Sequence, residues 1–234
     1  MTNPVPSARI LVWDLPLRIF HWLLAASFAG AFLTAESERW RDVQVMLGYT
    51  MLALVAFRVV WGFIGTRHAR FSGVAYGPSR VVAYLRSLAT RAPAHYTGHN
   101  PAGSWAIHAL LACTLAAGAT GLAVYNGTGG KWLEHLHEFV ANAMLTIVAV
   151  HVVGVIGGSL MHRENLVRSM ITGYKDGPAG DAIGTPRRFV AALLLAVVVG
   201  IWTGVVPSPG LESMHTMTPI KHGGEARAYT ENRR

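Results

Sequence analysis

Two histidines fourteen residues apart, His137 and His151, lie on one apolar stretch of the chain, and a third, His21, lies inside another. On an α-helix that separation is almost four whole turns and ~21 Å of rise, so both imidazoles leave the same face at two well separated depths. Neutral imidazole is a ligand for iron, and one such helix can serve two stacked haems. An imidazole in hydrocarbon is costly and persists where a partner or a function holds it. The elements around these histidines therefore decide the reading.

Those elements read as membrane spans. The chain of 234 residues is 52% hydrophobic and only 14% charged, with mean hydropathy +0.35, and its apolar residues fall in long runs rather than at amphipathic spacing. Five runs are visible, at 20–33, 45–64, 105–125, 139–160 and 189–206. With flanks each is about 17 to 22 residues, which suits a ~30 Å hydrocarbon core. The first carries His21 and must begin near Pro16. Asp14 and Arg18 precede it and no small-residue cleavage site follows, so it reads as a retained helix rather than a leader.

Loop charge sets the expected orientation. Residues 67–102 hold Arg67, Arg70, Arg80, Arg86 and Arg91 with no acidic residue, which places that loop in the cytoplasm. The segment after the fourth run, with Arg163, Arg168, Lys175, Arg187 and Arg188 against Glu164, Asp176 and Asp181, is biased the same way. The connections holding Glu36 to Asp42 and Lys131 to Glu134 are nearly balanced and fall to the periplasm. The N-terminus is then cytoplasmic, and the tail after Pro207 is periplasmic. The net charge of +8 follows from the cytoplasmic loops facing the membrane lipid, so no nucleic-acid partner is expected.

The single cysteine, Cys113, excludes an internal disulfide, a four-cysteine iron–sulfur site and a Cys-x-x-Cys-His attachment of c-type haem. No glycine-rich nucleotide loop, serine nucleophile elbow or pair of in-membrane carboxylates is present, which leaves redox chemistry by a bound cofactor. In the expected topology His21 and His151 meet at one depth on the cytoplasmic side. Two neutral imidazoles from antiparallel helices make a six-coordinate b-type haem site suited to outer-sphere electron transfer. His137 lies at the periplasmic end without an evident imidazole partner. Met46 through sulfur, Gln44 as a weak ligand, a five-coordinate iron or an empty site all remain open there.

The run Val12, Trp13, Asp14, Leu15, Pro16, Leu17, Arg18, Ile19, Phe20, His21, Trp22 resembles the first-helix signature of the bacterial cytochrome b561 family, which includes the cytochrome b subunits of membrane hydrogenases. Gly48 and Tyr49 with Phe57, Arg58, Trp61, Gly62, Phe63 and Gly65 resemble its second helix, and His99, Asn100, Pro101 and Gly103 its third-helix entry. Leu136, His137, Glu138 and His151 resemble its fourth helix, and His162, Arg163, Glu164, Asn165, Leu166, Val167, Met170, Gly173 and Lys175 its cytoplasmic exit. Together these cover about residues 9–175. The resemblance implies an all-α, integral membrane four-helix haem-binding bundle over residues 1–175, with a fifth C-terminal transmembrane helix and a flexible periplasmic tail over 176–234. It also implies that His21 and His151 hold the cytoplasmic haem b, that His137 supplies one ligand of the periplasmic haem, and that the fourth ligand position is Gln44, where the family pattern has histidine.

Other residues carry two readings each. Arg58 and Arg18 suit contacts to haem propionates, or else a snorkelling side chain and a positive-inside flank. His108 reads as a hydrogen-bonded interfacial histidine, and His95, His99 and His162 as loop or cap residues. Trp13, Trp22, Trp40, Trp61, Trp105 and Trp132 sit close to span ends, as an interfacial belt requires. Residues 81–88, edged by Arg80 and Arg86, suit a short amphipathic surface helix. Met214, His215, Met217 and His222 belong to the tail rather than to a copper site.

The sequence thus predicts a multi-pass bacterial inner-membrane b-type cytochrome moving electrons between quinone and a redox partner, either a c-type cytochrome or a dehydrogenase or hydrogenase subunit. An electron-transfer subunit fits better than a stand-alone enzyme. A superoxide:quinone oxidoreductase and a haem-poor membrane anchor are the alternatives.

Overall fold

The computed structural model describes residues 7–90 and 94–206. Among these are seven α-helices: α1 Leu15–Thr34, α2 Arg41–Ile64, α3 Pro78–Ala89, α4 Pro101–Tyr125, α5 Gly130–His162, α6 Leu166–Thr172 and α7 Arg188–Trp202. Helices α1, α2, α4 and α5 are long and apolar enough to cross a membrane. Helix α7 has 15 residues. It rises ~22 Å by helical geometry, less than a full hydrocarbon core. The run at 189–206 therefore yields a shorter helix than its apolar length suggests.

Helix starts follow local capping chemistry. Asp14 caps α1 by accepting the Leu17 N–H at 2.8 Å, with Pro16 in the first turn where no N–H is needed. Asn100 caps α4 through the Gly103 N–H at 2.7 Å, as the Asn-Pro pair predicts. Gly127, Gly129 and Gly130 take positive φ between α4 and α5 and allow the tight reversal that packs these helices side by side. Helix α2 lies at the centre, packed on α1, α4 and α7, while α7 also lies on α1. Helices α1 and α5 are not among the closely packed pairs. The bundle has a seam there.

The expected surface helix is α3, with Val82 and Leu85 exposed and Tyr84 buried. An element absent from the sequence reading is a two-stranded antiparallel sheet. Strand β1, Ser7–Leu11, pairs with β2, Tyr174–Pro178, in the register Arg9 to Asp176. The carbonyl of Gly173 then accepts both the Val12 and Trp13 N–H groups at 2.9 and 3.0 Å. A Cβ at Gly173 would sit 2.8 Å from the Trp13 carbonyl oxygen, and its φ of 90° also demands glycine. The start of α1 is thereby fixed to the segment following α5.

Asp14 is the hub of this end. It is fully buried and also accepts from the Trp61 indole at 3.0 Å and the Thr66 hydroxyl at 2.6 Å. This corrects the interfacial reading of two tryptophans. Trp61 is buried because its N–H is needed by Asp14, and Trp13 is buried against His99. Trp22, Trp40, Trp105 and Trp132 are exposed, as an interfacial position requires. Asp14→Ala should cost about 3 kcal/mol, the sum of a lost N-cap and a stranded indole N–H. Thermal unfolding in detergent measures it, with Asp14→Asn expected to cost less because its amide oxygen still accepts.

Candidate haem-binding site

His21 lies in the second turn of α1, and His151 lies in α5 beside the seam. The two imidazoles come within electrostatic reach of one another across helices that do not otherwise pack closely. The Nδ1 of His21 is buried with no hydrogen-bond partner among the described residues. Gly154, one turn beyond His151, has nothing within 4 Å of where a Cβ would be. Buried polar atoms without partners need a reason in a native fold. Two imidazoles within electrostatic reach, with open space beside one of them, are a donor set that fits a haem iron and its macrocycle.

Arg58 is 2% exposed, which removes the snorkelling alternative. Its guanidinium lies 4.7 Å from the ring centre of Phe71 and within electrostatic reach of Asp14, and its Nη1 has no partner. Arg18 is tied by its guanidinium to the Ile171 carbonyl at the end of α6, with Nε buried and unpartnered. That contact links α1 to α6 and is more specific than a positive flank. His108 keeps the expected interfacial character, with Nδ1 donating to the Ser104 carbonyl at 2.7 Å.

The sequence reading missed His99. It lies in the loop before α4, its ring centre 4.5 Å from that of Trp13, and its Nδ1 is buried without a partner. Burial first, then the charge of Arg58, pushes its pKa down to about 3, so the ring is neutral. His95 and His162 do keep to a loop and a helix end, with ring centres 5.6 Å apart. His95 also lies 3.7 Å from Glu164, whose other neighbour is the buried Lys175 at 3.3 Å.

The outer end is different. His137 lies two turns inside α5, because the helix begins at Gly130 rather than near 139. Its Nδ1 is 3.0 Å from both the Ala117 carbonyl and Thr120 Oγ1, and Thr120 itself donates to the Ala116 carbonyl at 2.8 Å. The tautomer that satisfies all of these carries the proton on Nδ1 and leaves the Nε2 lone pair free, the arrangement a metal-ligating histidine uses. Gly121 permits the approach, since a Cβ there would lie 3.0 Å from His137 Cε1. Gln44 is half-buried in the first turn of α2, and Gly48 one turn on has open space beside it. Met46 is buried, and its carbonyl accepts from Thr50. His135 is exposed. Among the described residues this end therefore offers room and one well-prepared imidazole, but no second one. The tail residues Met214, His215, Met217 and His222 lie outside the described residues.

No group of three or more histidine, cysteine, aspartate or glutamate side chains able to hold a metal ion directly occurs among the described residues.

The family model described as prokaryotic cytochrome b561 matches residues 12–173. A probable Ni/Fe-hydrogenase B-type cytochrome subunit of Azotobacter chroococcum mcd 1 is 25% identical over 217 residues, covering 71% of this chain and 88% of the relative. The protein of the same description from Azotobacter vinelandii matches to the same extent, and that from Rhodobacter capsulatus is 24% identical over 71% of this chain and 81% of its own length. No solved structure matches the chain. The match from Val12 to Gly173 takes in the α1 signature, the Arg58 helix and the His137 and His151 helix, and the chain is a multi-pass membrane protein belonging to the prokaryotic cytochrome b561 family.

Proposed function

We propose that this protein is an inner-membrane b-type cytochrome that passes electrons between the quinone pool and a redox partner, through a haem b held by His21 and His151. What supports this reading is that those two imidazoles lie within electrostatic reach of one another across the loosely packed α1–α5 seam, while His21 Nδ1 and nitrogens of Arg58 and Arg18 are buried without partners. The haem, when bound, supplies one-electron chemistry at iron. His21 and His151 would hold the haem through its iron, leaving no position for an external ligand, and the apolar helix faces around them would keep water from the site. The basic residues of 67–102 and 163–188 support a cytoplasmic position for this end.

The hydrogenase B-type cytochromes to which the chain is similar make a hydrogenase a reasonable class of partner, and a c-type cytochrome at the periplasmic face is the other. Purified protein in quinone-containing liposomes tests the function. Haem reduction by quinol, or quinone reduction through the haem by an added donor protein, is the expected result; a haem that exchanges electrons with neither overturns it.

Arg58 bears on the potential of this haem. A buried cation stabilises the propionate charge and disfavours ferric iron, so Arg58→Leu should lower the midpoint potential. The expected size is on the order of 1 kcal/mol, that of a unit charge acting through an effective dielectric of about 20. A redox titration of the α-band measures it, and an unchanged potential contradicts the contact.

A further inference from the structure

Beyond the axial ligands, the basic end holds a polar cavity of about 310 Å³ lined by Arg67, His68, Tyr76, Tyr96, His99 and Asp181, among others. Most of its polar groups are engaged with one another. Arg67 pairs with Asp181 at 3.1 Å, His68 Nε2 donates to the Asp181 carbonyl at 2.8 Å, and the Thr97 hydroxyl donates to the Asp181 carboxylate at 2.8 Å. His99 is the exception. Its ring is held against Trp13 and its backbone carbonyl accepts from Tyr76, yet Nδ1 is buried and bonded to nothing among the described residues.

The direction in which His99 works is set by its neighbours. It lies within electrostatic reach of Arg58 and of His151, and Arg58 Nη1 is also buried and unpartnered. The stranded Arg58 donor is cationic, and the neutral His99 ring adds a second donor when its proton sits on Nδ1; together they suit an acceptor-only, negatively charged group. A carboxylate meets that requirement. A metal ion does not, because the buried Arg58 guanidinium repels it.

We propose that His99, acting with Arg58, donates a hydrogen bond from Nδ1 to a propionate carboxylate of the haem held by His21 and His151, and so helps to set that haem's potential from the floor of the polar cavity. This rests on the haem reading above, and a wild-type protein that binds no haem defeats that reading before His99 is tested. His99 is a positioning residue here, bound to the haem's periphery and not to its iron.

The test uses the haem-loaded protein and two variants. His99→Phe keeps a ring against Trp13 and removes the donor, whereas His99→Asn keeps an N–H near the Nδ1 position. The readouts are the propionate bending band in the resonance Raman spectrum and the midpoint potential. His99→Phe should shift the band and lower the potential while leaving the low-spin α-band in place, and His99→Asn should restore both towards wild type. Wild-type values of band and potential in His99→Phe overturn the proposal, as does an equal shift in both variants, which marks a packing role. If His99→Phe does not accumulate, His99→Gln, a displaced donor, must move the band partway, and an unmoved band overturns the proposal equally.

Discussion

Replacing His151 by alanine should abolish the low-spin α-band of the reduced protein, and His21→Ala should do the same. Each substitution removes one of the two imidazoles that would hold the iron, and His99, the other buried histidine near His151, lies in the loop before α4 rather than in α1 or α5. The iron would be left five-coordinate and high-spin, or the haem would dissociate. The four spans themselves should survive, because neither imidazole is a packing hub: both side chains are only half-buried and lie beside the α1–α5 seam. Optical spectra of the purified variants, with circular dichroism to verify helix content, separate loss of haem from loss of fold. An unchanged reduced spectrum in His151→Ala contradicts the ligand assignment.

The second large effect is expected at Gln44. His137 is prepared as a ligand by its Nδ1 contacts to Ala117 and Thr120, and open space flanks Gly48, but the residue four before Gly48 is glutamine. Gln44→His should therefore create a second low-spin haem, doubling the α-band amplitude per chain, and His137→Ala in that background should remove it. If His137 has no strong partner in the unmodified protein, an electron entering from its end would face a gap of ~21 Å along α5 to His151, a distance over which tunnelling is slow. Function would then depend on the haem of His21 and His151 alone, or on a cofactor brought by the partner. Two low-spin haems already present in the unmodified chain would contradict this and direct attention to Met46 or to a rearranged histidine.

Much of this arrangement was legible in the sequence, for a physical reason. Membrane spans announce themselves by length and composition, and the fourteen-residue spacing of His137 and His151 is local to one helix. Asp14 and Asn100 were readable as caps because capping is settled within three residues. What stayed hidden depends on contacts between distant segments. Strands β1 and β2 are each five residues long, β2 ends in Asp176, Gly177 and Pro178, and their pairing is fixed only by the fold that brings residues 7–11 to 174–178. His99 reads as a loop residue because its own neighbours are polar or small. Its ring packs on Trp13, which lies far away in the sequence. Trp13 and Trp61 sit at span ends like interfacial residues, but the buried carboxylate of Asp14 draws the Trp61 indole inward. The start of α5 was misjudged because Gly130 to Glu138 is polar enough to resemble a loop, yet it is helical and carries His137 two turns in.

Haem content per polypeptide tests the central claim most directly. A pyridine haemochrome assay on purified protein, set against protein concentration by amino-acid analysis and read together with the low-temperature reduced spectrum, should give one low-spin haem b per chain. A haem-free protein, or one whose only haem survives the His21→Ala and His151→Ala substitutions, would contradict it.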